Sequence, residues 1–329
     1  MHGRMKFVKP LVKIAISVVL ITIVLRTFDV RGVVAHFAKV DVTTLLMAVA
    51  LALAIALLHT LRWLAVVNAN GSTLTFKTAL QVVLIGHFFN QALPSSVGGD
   101  AVRVWCAYRA GLTFGAAANT VIIDRAITLL SLLLLSAAGL PWLFDIVTDP
   151  VARWALSTVI CAGVAGFGAF LALKRLPSAV TRWRAMRALL DLAALARKVV
   201  FNPRYALPAL LLSVLSFVGF AVIVYCLARA MQLDVRLLDC ILLVPPVILV
   251  TVVPISIAGW GVREGAMVVA FGFIGVPASA AFAVSVLFGL TLAAASLPGS
   301  LIWWLSGYSV RNVAANTAAL ATDDEPVAR

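Results

Sequence analysis

The sequence predicts an all-α polytopic membrane protein made of two inverted repeats, each with three full helices and one broken, re-entrant hairpin. Three observations carry this. Hydrophobic residues make up 63% of the 329 positions, charged residues only 12%, and the mean hydropathy is +1.08. A soluble domain carries about a quarter charged residues, whereas here apolar runs of about 20 residues recur without strand alternation. A ten-residue pattern, Pro94-Ser-Ser-Val-Gly-Gly-Asp-Ala-Val-Arg103, returns 160 positions later as Pro254-Ile-Ser-Ile-Ala-Gly-Trp-Gly-Val-Arg263, with Pro94/Pro254, Ser96/Ser256, Gly99/Gly259, Val102/Val262 and Arg103/Arg263 identical. Each copy ends a long apolar run, and a helix broken inside lipid survives only where protein or a polar cavity covers it. Two breaks at corresponding places mark a transporter assembled from repeats.

Helix 1 is expected over about 11–28 and helix 2 over about 43–67, carrying His59 and Arg62 on one face. The N-terminal charged start and apolar run resemble a signal peptide, but Arg26-Thr-Phe-Asp offers no small-residue cleavage site, so helix 1 is expected to be retained. A polar turn at 68–75 leads to a segment over 76–93 that breaks at Pro94 and Gly98-Gly99, with 101–110 as its returning arm. Helix 3 follows over about 115–140, then a loop at 141–151 around Pro141 and Pro150, then helix 4 over about 152–173. The stretch 174–204 mixes basic residues with Leu176, Trp183, Leu189 and Leu195 and reads as an interfacial segment. Helix 5 covers about 206–228. The second broken segment runs from Leu237 through Pro245-Pro246 to Pro254 and returns over 261–273; helix 6 spans about 279–305 with a kink expected at Pro298-Gly299. One transmembrane domain therefore occupies 1–308, with repeat one at about 10–143 and repeat two at about 152–308. The tail 309–329 is expected to be disordered.

The net charge of +13 is concentrated: residues 1–13 contribute +4 and residues 174–204 contribute +7. Both border apolar segments, as the positive-inside rule requires of cytoplasmic flanks, so the charge speaks for a membrane and not for nucleic acid. This puts both termini, the 68–77 turn and the 174–204 stretch in the cytoplasm of a plasma (inner) membrane protein. The loops at 29–41, 141–151 and 231–239 fall outside. Three full helices per half is an odd number, so the halves are inverted and the hairpins enter from opposite sides, meeting near the midplane. If the hairpins cross instead, the count is eight spans with a different symmetry. The cysteines at 106, 161, 226 and 240 are dispersed, which suggests neither a metal site nor a disulfide framework.

Charges at bilayer depth cost at least about 2.5–3.5 kcal/mol each and mark functional positions. Asp100, Arg103, Asp124, Arg125, Arg263 and Glu264 are the residues of this kind, and Arg62 on helix 2 is either a headgroup contact or one partner of a structural ion pair. Asp124 and Arg125 are neighbours pointing about 100° apart, so each is expected to find its partner elsewhere, on the hairpins. Arg103 and Arg263 otherwise snorkel at the interface. Pro94, Ser95, Ser96, Gly98 and Gly99 form either an anion cradle of free N–H groups or a tight packed turn. Pro254, Ser256, Gly259 and Gly261 are their counterparts. Asn90 and Gln91, one turn from His87, line an arm of the first hairpin or bond to another helix.

At these residues the chain resembles a known family. Asn90-Gln91-Ala-Leu-Pro-Ser-Ser-Val-Gly-Gly-Asp100-Ala-Val-Arg103, Asp124-Arg125 and Pro254-Ile-Ser-Ile-Ala-Gly-Trp-Gly-Val-Arg263-Glu264-Gly265 are similar to the signature of the lysylphosphatidylglycerol synthase transmembrane, or flippase-like, family, over roughly residues 10–308. The resemblance implies a domain that moves a phospholipid or related lipid between leaflets. About twenty residues follow helix 6, so a stand-alone member without the synthase domain is expected. The expectation is thus a lipid translocator whose partners are membrane lipids, bound through their headgroups. It requires no cofactor or metal and admits a homodimer or a separate lipid-modifying enzyme as partner. There is no Walker loop, HExxH or Gly-x-Ser-x-Gly elbow, which argues against ATP as a direct drive and against an enzyme. Two alternatives stand beside this reading: a non-transporting partner that presents lipid to a glycosyltransferase or synthase, and an intramembrane lipid-modifying enzyme.

Overall fold

A computed structural model describes residues 36–93, 96–173, 184–252 and 259–306, with only the backbone at 96–97, 184–185 and 187–188. Helix 1, Pro94, Ser95, Pro254, Ser256, the basic cluster at 1–13, residues 174–183 and the tail lie outside the described residues. Among those described, the structure is helical throughout. The helices are α1 (Val42–Ala69), α2 (Phe76–Ala92), α3 (Ser96–Arg109), α4 (Phe114–Ile146), α5 (Pro150–Leu171), α6 (Arg184–Val200), α7 (Pro203–Ala230), α8 (Leu237–Thr251), α9 (Val262–Gly272) and α10 (Ala278–Leu305). Five of them, α1, α4, α5, α7 and α10, are long and apolar enough to cross a membrane. They correspond to the expected helices 2 to 6.

Local chemistry starts these helices where the sequence changes character. The Thr75 hydroxyl accepts from the Thr78 N–H at α2, and Thr113 accepts from Ala116 at α4. Asp149 accepts from the Ala152 N–H, and Asn202 from the Arg204 N–H, each followed by a proline at the first helical position. This corrects two boundaries. The Asn202-Pro203 cap starts α7 at Pro203, not at 206. The expected loop at 141–151 shrinks to 147–149, because α4 continues through Pro141 to Ile146. A membrane helix tolerates one lost backbone bond where neighbours cover it. The returning arm of the first hairpin also starts earlier, at Ser96, so Gly98 and Gly99 are helical. The helix α10 runs through Pro298 to Leu305. Within the basic stretch, α6 buries Ala193, Leu195, Ala196 and Val199 and exposes Asp191 and Lys198.

The packing has a pattern. The helices α1 and α7 pack on each other at the centre. Beyond that pair, α1 meets α2, α4 and α10, while α7 meets α8, α10 and α4. The first hairpin joins α2 to α3, and α3 lies on α4; the second joins α8 to α9, and α9 lies on α10. Finally α2 packs on α10, and α8 on α4. Exchanging α1, α2, α3 and α4 with α7, α8, α9 and α10 maps this set of pairs onto itself. The remaining two elements are peripheral: α5 buries only Ile160 among its residues, and α6 bridges α5 to α7.

Apolar burial does not drive helices together in lipid, so close approach through small residues carries the association. A Cβ on Gly299 of α10 would stand 2.0 Å from the Leu84 carbonyl oxygen of α2, and one on Gly219 of α7 would stand 2.9 Å from Ile55 of α1. Gly299→Ala is therefore expected to cost about 1–3 kcal/mol through overpacking against backbone. Gly166→Ala, where nothing lies within 4 Å, should leave stability unchanged. Unfolding of both variants in detergent checks this.

Candidate functional site

The charged residues singled out by sequence sit in two clusters. The first is built on Asp124, the eleventh residue of α4 and 1% exposed. Its carboxylate accepts from Arg62 of α1, at 2.8 Å from Nε and 3.3 Å from Nη2, and from both terminal nitrogens of Arg103 of α3 at 3.2 Å. Arg62 also donates to the Ser213 hydroxyl of α7. Arg103 lies over the Trp63 ring at 5.0 Å, and its stem fills the space beside Gly86, where a Cβ would come within 2.3 Å. Its Nε is buried with no partner among the described residues. Asp124 thus joins α1, α3 and α4 at one carboxylate, and α7 is tied in through Arg62.

Beside it, Arg125 donates twice from Nε and once from Nη2 to Asp100 of α3, at 2.8–3.0 Å, a forked geometry that favours Arg–carboxylate pairing. The Arg125 side chain is 46% exposed, unlike Arg62 and Arg103 at 5%. As expected, Asp124 and Arg125 pair with other elements and not with each other. Three guanidinium groups face two carboxylates here, so the cluster carries one positive charge in excess.

The second cluster is at the start of α9. Gly259 and Gly261 have φ of 80° and 87°, a conformation that strongly favours glycine and turns the chain into the helix. The Glu264 carboxylate folds back to accept the Gly261 N–H and also accepts the Ser285 hydroxyl of α10. Arg263 donates to Glu264 from Nη2 at 2.7 Å and lies over the rings of Trp260 and Phe288. Its guanidinium occupies the space beside Gly289, where a Cβ would sit 2.0 Å away. Neighbours pair here because Glu264, third in the helix, is aimed back at the capping N–H, within reach of the long Arg263 stem. Arg103 and Arg263 are both buried, at 4% and 5%, and neither snorkels. Each reaches the following long helix, Arg103 to Asp124 on α4 and Arg263 to Ser285 on α10.

A cavity of about 140 Å³ is lined among others by His59 of α1, His87, Asn90 and Gln91 of α2, Phe220 of α7 and Ser296 of α10. Phe220 touches both His59 and Phe288, the ring under Arg263. Asn90 and Gln91 are thus among the residues that line this cavity. The glycine motif is used differently from a cradle open to an anion: a Cβ on Gly98 would strike Leu93, and one on Gly99 would strike Asn90 and the Gly86 carbonyl. Those missing atoms let α3 lie against α2. The sequence reading did not include Trp63, Gly86, Ser213, Ser285 or Gly289. A serine or glycine in an apolar helix carries no signal of its own, although Trp63 beside Arg62 is a visible cue for cation–π packing. No group of three or more His, Cys, Asp or Glu residues able to hold a metal occurs among the described residues.

Comparison with known proteins places the motifs in context. The family model described as the lysylphosphatidylglycerol synthase TM region matches residues 11–299. Among curated proteins, no match is found.

Proposed function

From the premise that the chain belongs to the lysylphosphatidylglycerol synthase TM-region family, we propose that it is a lipid translocator that moves a phospholipid or related headgroup between leaflets while the acyl tails stay in lipid. It is a multi-pass membrane protein, and in this reading it carries out no covalent chemistry and requires no cofactor. The observation that carries the proposal is Arg125. Its guanidinium lies about 17 Å along α4 from the first residue, on a helix about 50 Å long, and is nearly half exposed. A charge at that depth demands a polar path, not hydrocarbon. The neighbouring excess positive charge suits a phosphate-bearing headgroup, and His87, Asn90 and Gln91 of α2 line a cavity for its polar part.

The finer architecture belongs to the same proposal. The arms of both hairpins have 17, 14, 15 and 11 residues, all short of the roughly 20 needed to span a bilayer. That length supports re-entrant hairpins, and the exchange pattern of helix packing supports two inverted repeats. Rocking of one repeat against the other then alternates access to a polar seam between the two hairpins. With the termini and α6 cytoplasmic in an inner membrane, Thr148→Cys and Asp191→Cys in a background lacking the native cysteines should label from opposite faces with an impermeant thiol reagent. Labelling from one face contradicts the inverted arrangement.

Leaflet-resolved labelling of a fluorescent phospholipid in vesicles containing the purified protein tests the function. Transport reading: the protein raises exchange between leaflets over protein-free vesicles. No exchange, with lipid still bound, points instead to a protein that presents lipid to a partner enzyme. Formation of a modified lipid by the purified protein contradicts the non-enzymatic reading.

A further inference from the structure

We propose that His59 and His87 form a proton-binding site linked to an anionic phosphate group in the adjoining cavity, so that the anion enters together with a proton. The Nδ1 of His59 and the Nε2 of His87 are 3.3 Å apart, and the rings meet edge to face with centroids at 5.3 Å. Two neutral imidazoles in this geometry share one N–H: one facing nitrogen donates and the other accepts. The ring that donates then has its outer nitrogen bare, while the ring that accepts carries its hydrogen on the outer nitrogen. The pair therefore offers one basic nitrogen. A proton taken up there from the buffered solution leaves the N–H···N bond in place and makes it charge-assisted.

Both histidines are half-buried and line the cavity, whose volume of about 140 Å³ is well above the ~10–15 Å³ that one water needs. The charged groups facing the pair are Arg62 on its own helix α1, Arg103 from α3, and Asp124 and Arg125 from α4, with Asp100 of α3 held by Arg125. From α7 and α10 the cavity is faced by Phe220 and Ser296. Arginine keeps its charge at all relevant pH, so the surroundings hold one positive charge in excess and oppose a proton on the pair. An anion in the cavity offsets that excess charge and so favours the proton. By linkage, if the anion favours the proton, the proton favours the anion by the same factor. This inference rests on the lipid-translocator reading only for the source of the phosphate group.

Calorimetry in buffers of different ionisation enthalpy counts the protons taken up per ligand bound. The probes are short-chain phosphatidylglycerol and inorganic phosphate, with the purified full-length protein. Expected is net proton uptake on binding and an affinity that tightens by up to about tenfold per pH unit as pH falls through the imidazole range. Uptake should fall in His59→Gln and in His87→Gln, where the shared N–H···N bond is lost; the wild-type proton count decides the matter even if a variant does not fold. Uptake with phosphatidylglycerol, with or without inorganic phosphate, supports the site and the lipid source. Uptake with inorganic phosphate alone supports the site and contradicts the lipid reading. Binding of either probe without proton uptake, uptake unchanged in both folded variants, or no binding of either probe overturns the proposal. Leaflet exchange is read separately, so translocation without proton linkage sinks this inference alone, whereas linkage without translocation sinks the translocator reading alone.

Discussion

Asp124→Asn is expected to destabilise the protein by about 3–5 kcal/mol. The substitution is nearly isosteric, so packing is kept and only the charge is lost. What remains is two buried guanidinium groups, Arg62 and Arg103, facing an amide that accepts at one atom and donates at the other. Ser213 gives Arg62 one further acceptor, and Asp100 lies 3.7 Å from Arg103, so neither arginine is stripped of every partner. The loss should still be the largest of any single substitution in the cluster, since Asp124 joins α1, α3 and α4. Denaturant unfolding in detergent measures it. A change below about 1 kcal/mol, the value of an exposed ion pair, would mean that water reaches this carboxylate.

Arg125→Gln is expected to do the opposite: fold normally and lose translocation. Its pair with Asp100 is partly exposed, so its contribution to stability is discounted to about 1 kcal/mol or less. Its contribution to a passing phosphate is not discounted, because glutamine carries no charge to meet it. Arg263→Gln separates less cleanly. Arg263 is buried, and its removal leaves the Glu264 carboxylate, among the described residues, with the Gly261 N–H and the Ser285 hydroxyl, so a stability loss accompanies any transport defect. Parallel unfolding and leaflet-exchange measurements on both variants make the distinction. Stable Arg125→Gln protein with wild-type exchange rates would remove Arg125 from the path.

The long helices were legible because their apolar runs are unambiguous and their ends carry capping residues such as Thr113 and Asp149. The charged positions were legible for a similar reason, since an Asp or Arg inside such a run is conspicuous. Partnership was not. That Asp124 and Arg125 need partners follows from helix geometry, but sequence gave no way to see that Arg62, far back on α1, shares Asp124 with Arg103. The expectation that both hairpins supply partners held for the first hairpin, through Asp100 and Arg103; Arg263 is instead paired with its own neighbour. Glycine was read for its backbone freedom, which applies at Gly259 and Gly261. At Gly86, Gly99, Gly289 and Gly299 what counts is the missing side chain, and that depends on what lies opposite in three dimensions. Pro141 misled for a related reason, since a proline ends a helix only where nothing compensates for the lost bond.

The most direct test of the account is to locate a headgroup. Density for the protein in lipid nanodiscs, with a phospholipid carrying a heavy atom in its headgroup, would show where the polar moiety rests. The account predicts that atom inside the bundle, between α2–α3 and α8–α9, in the seam that runs from the Arg125 guanidinium to the cavity at His87, Asn90 and Gln91. Headgroup density confined to the two membrane surfaces, with the seam closed by side chains in every class of particles, would contradict it.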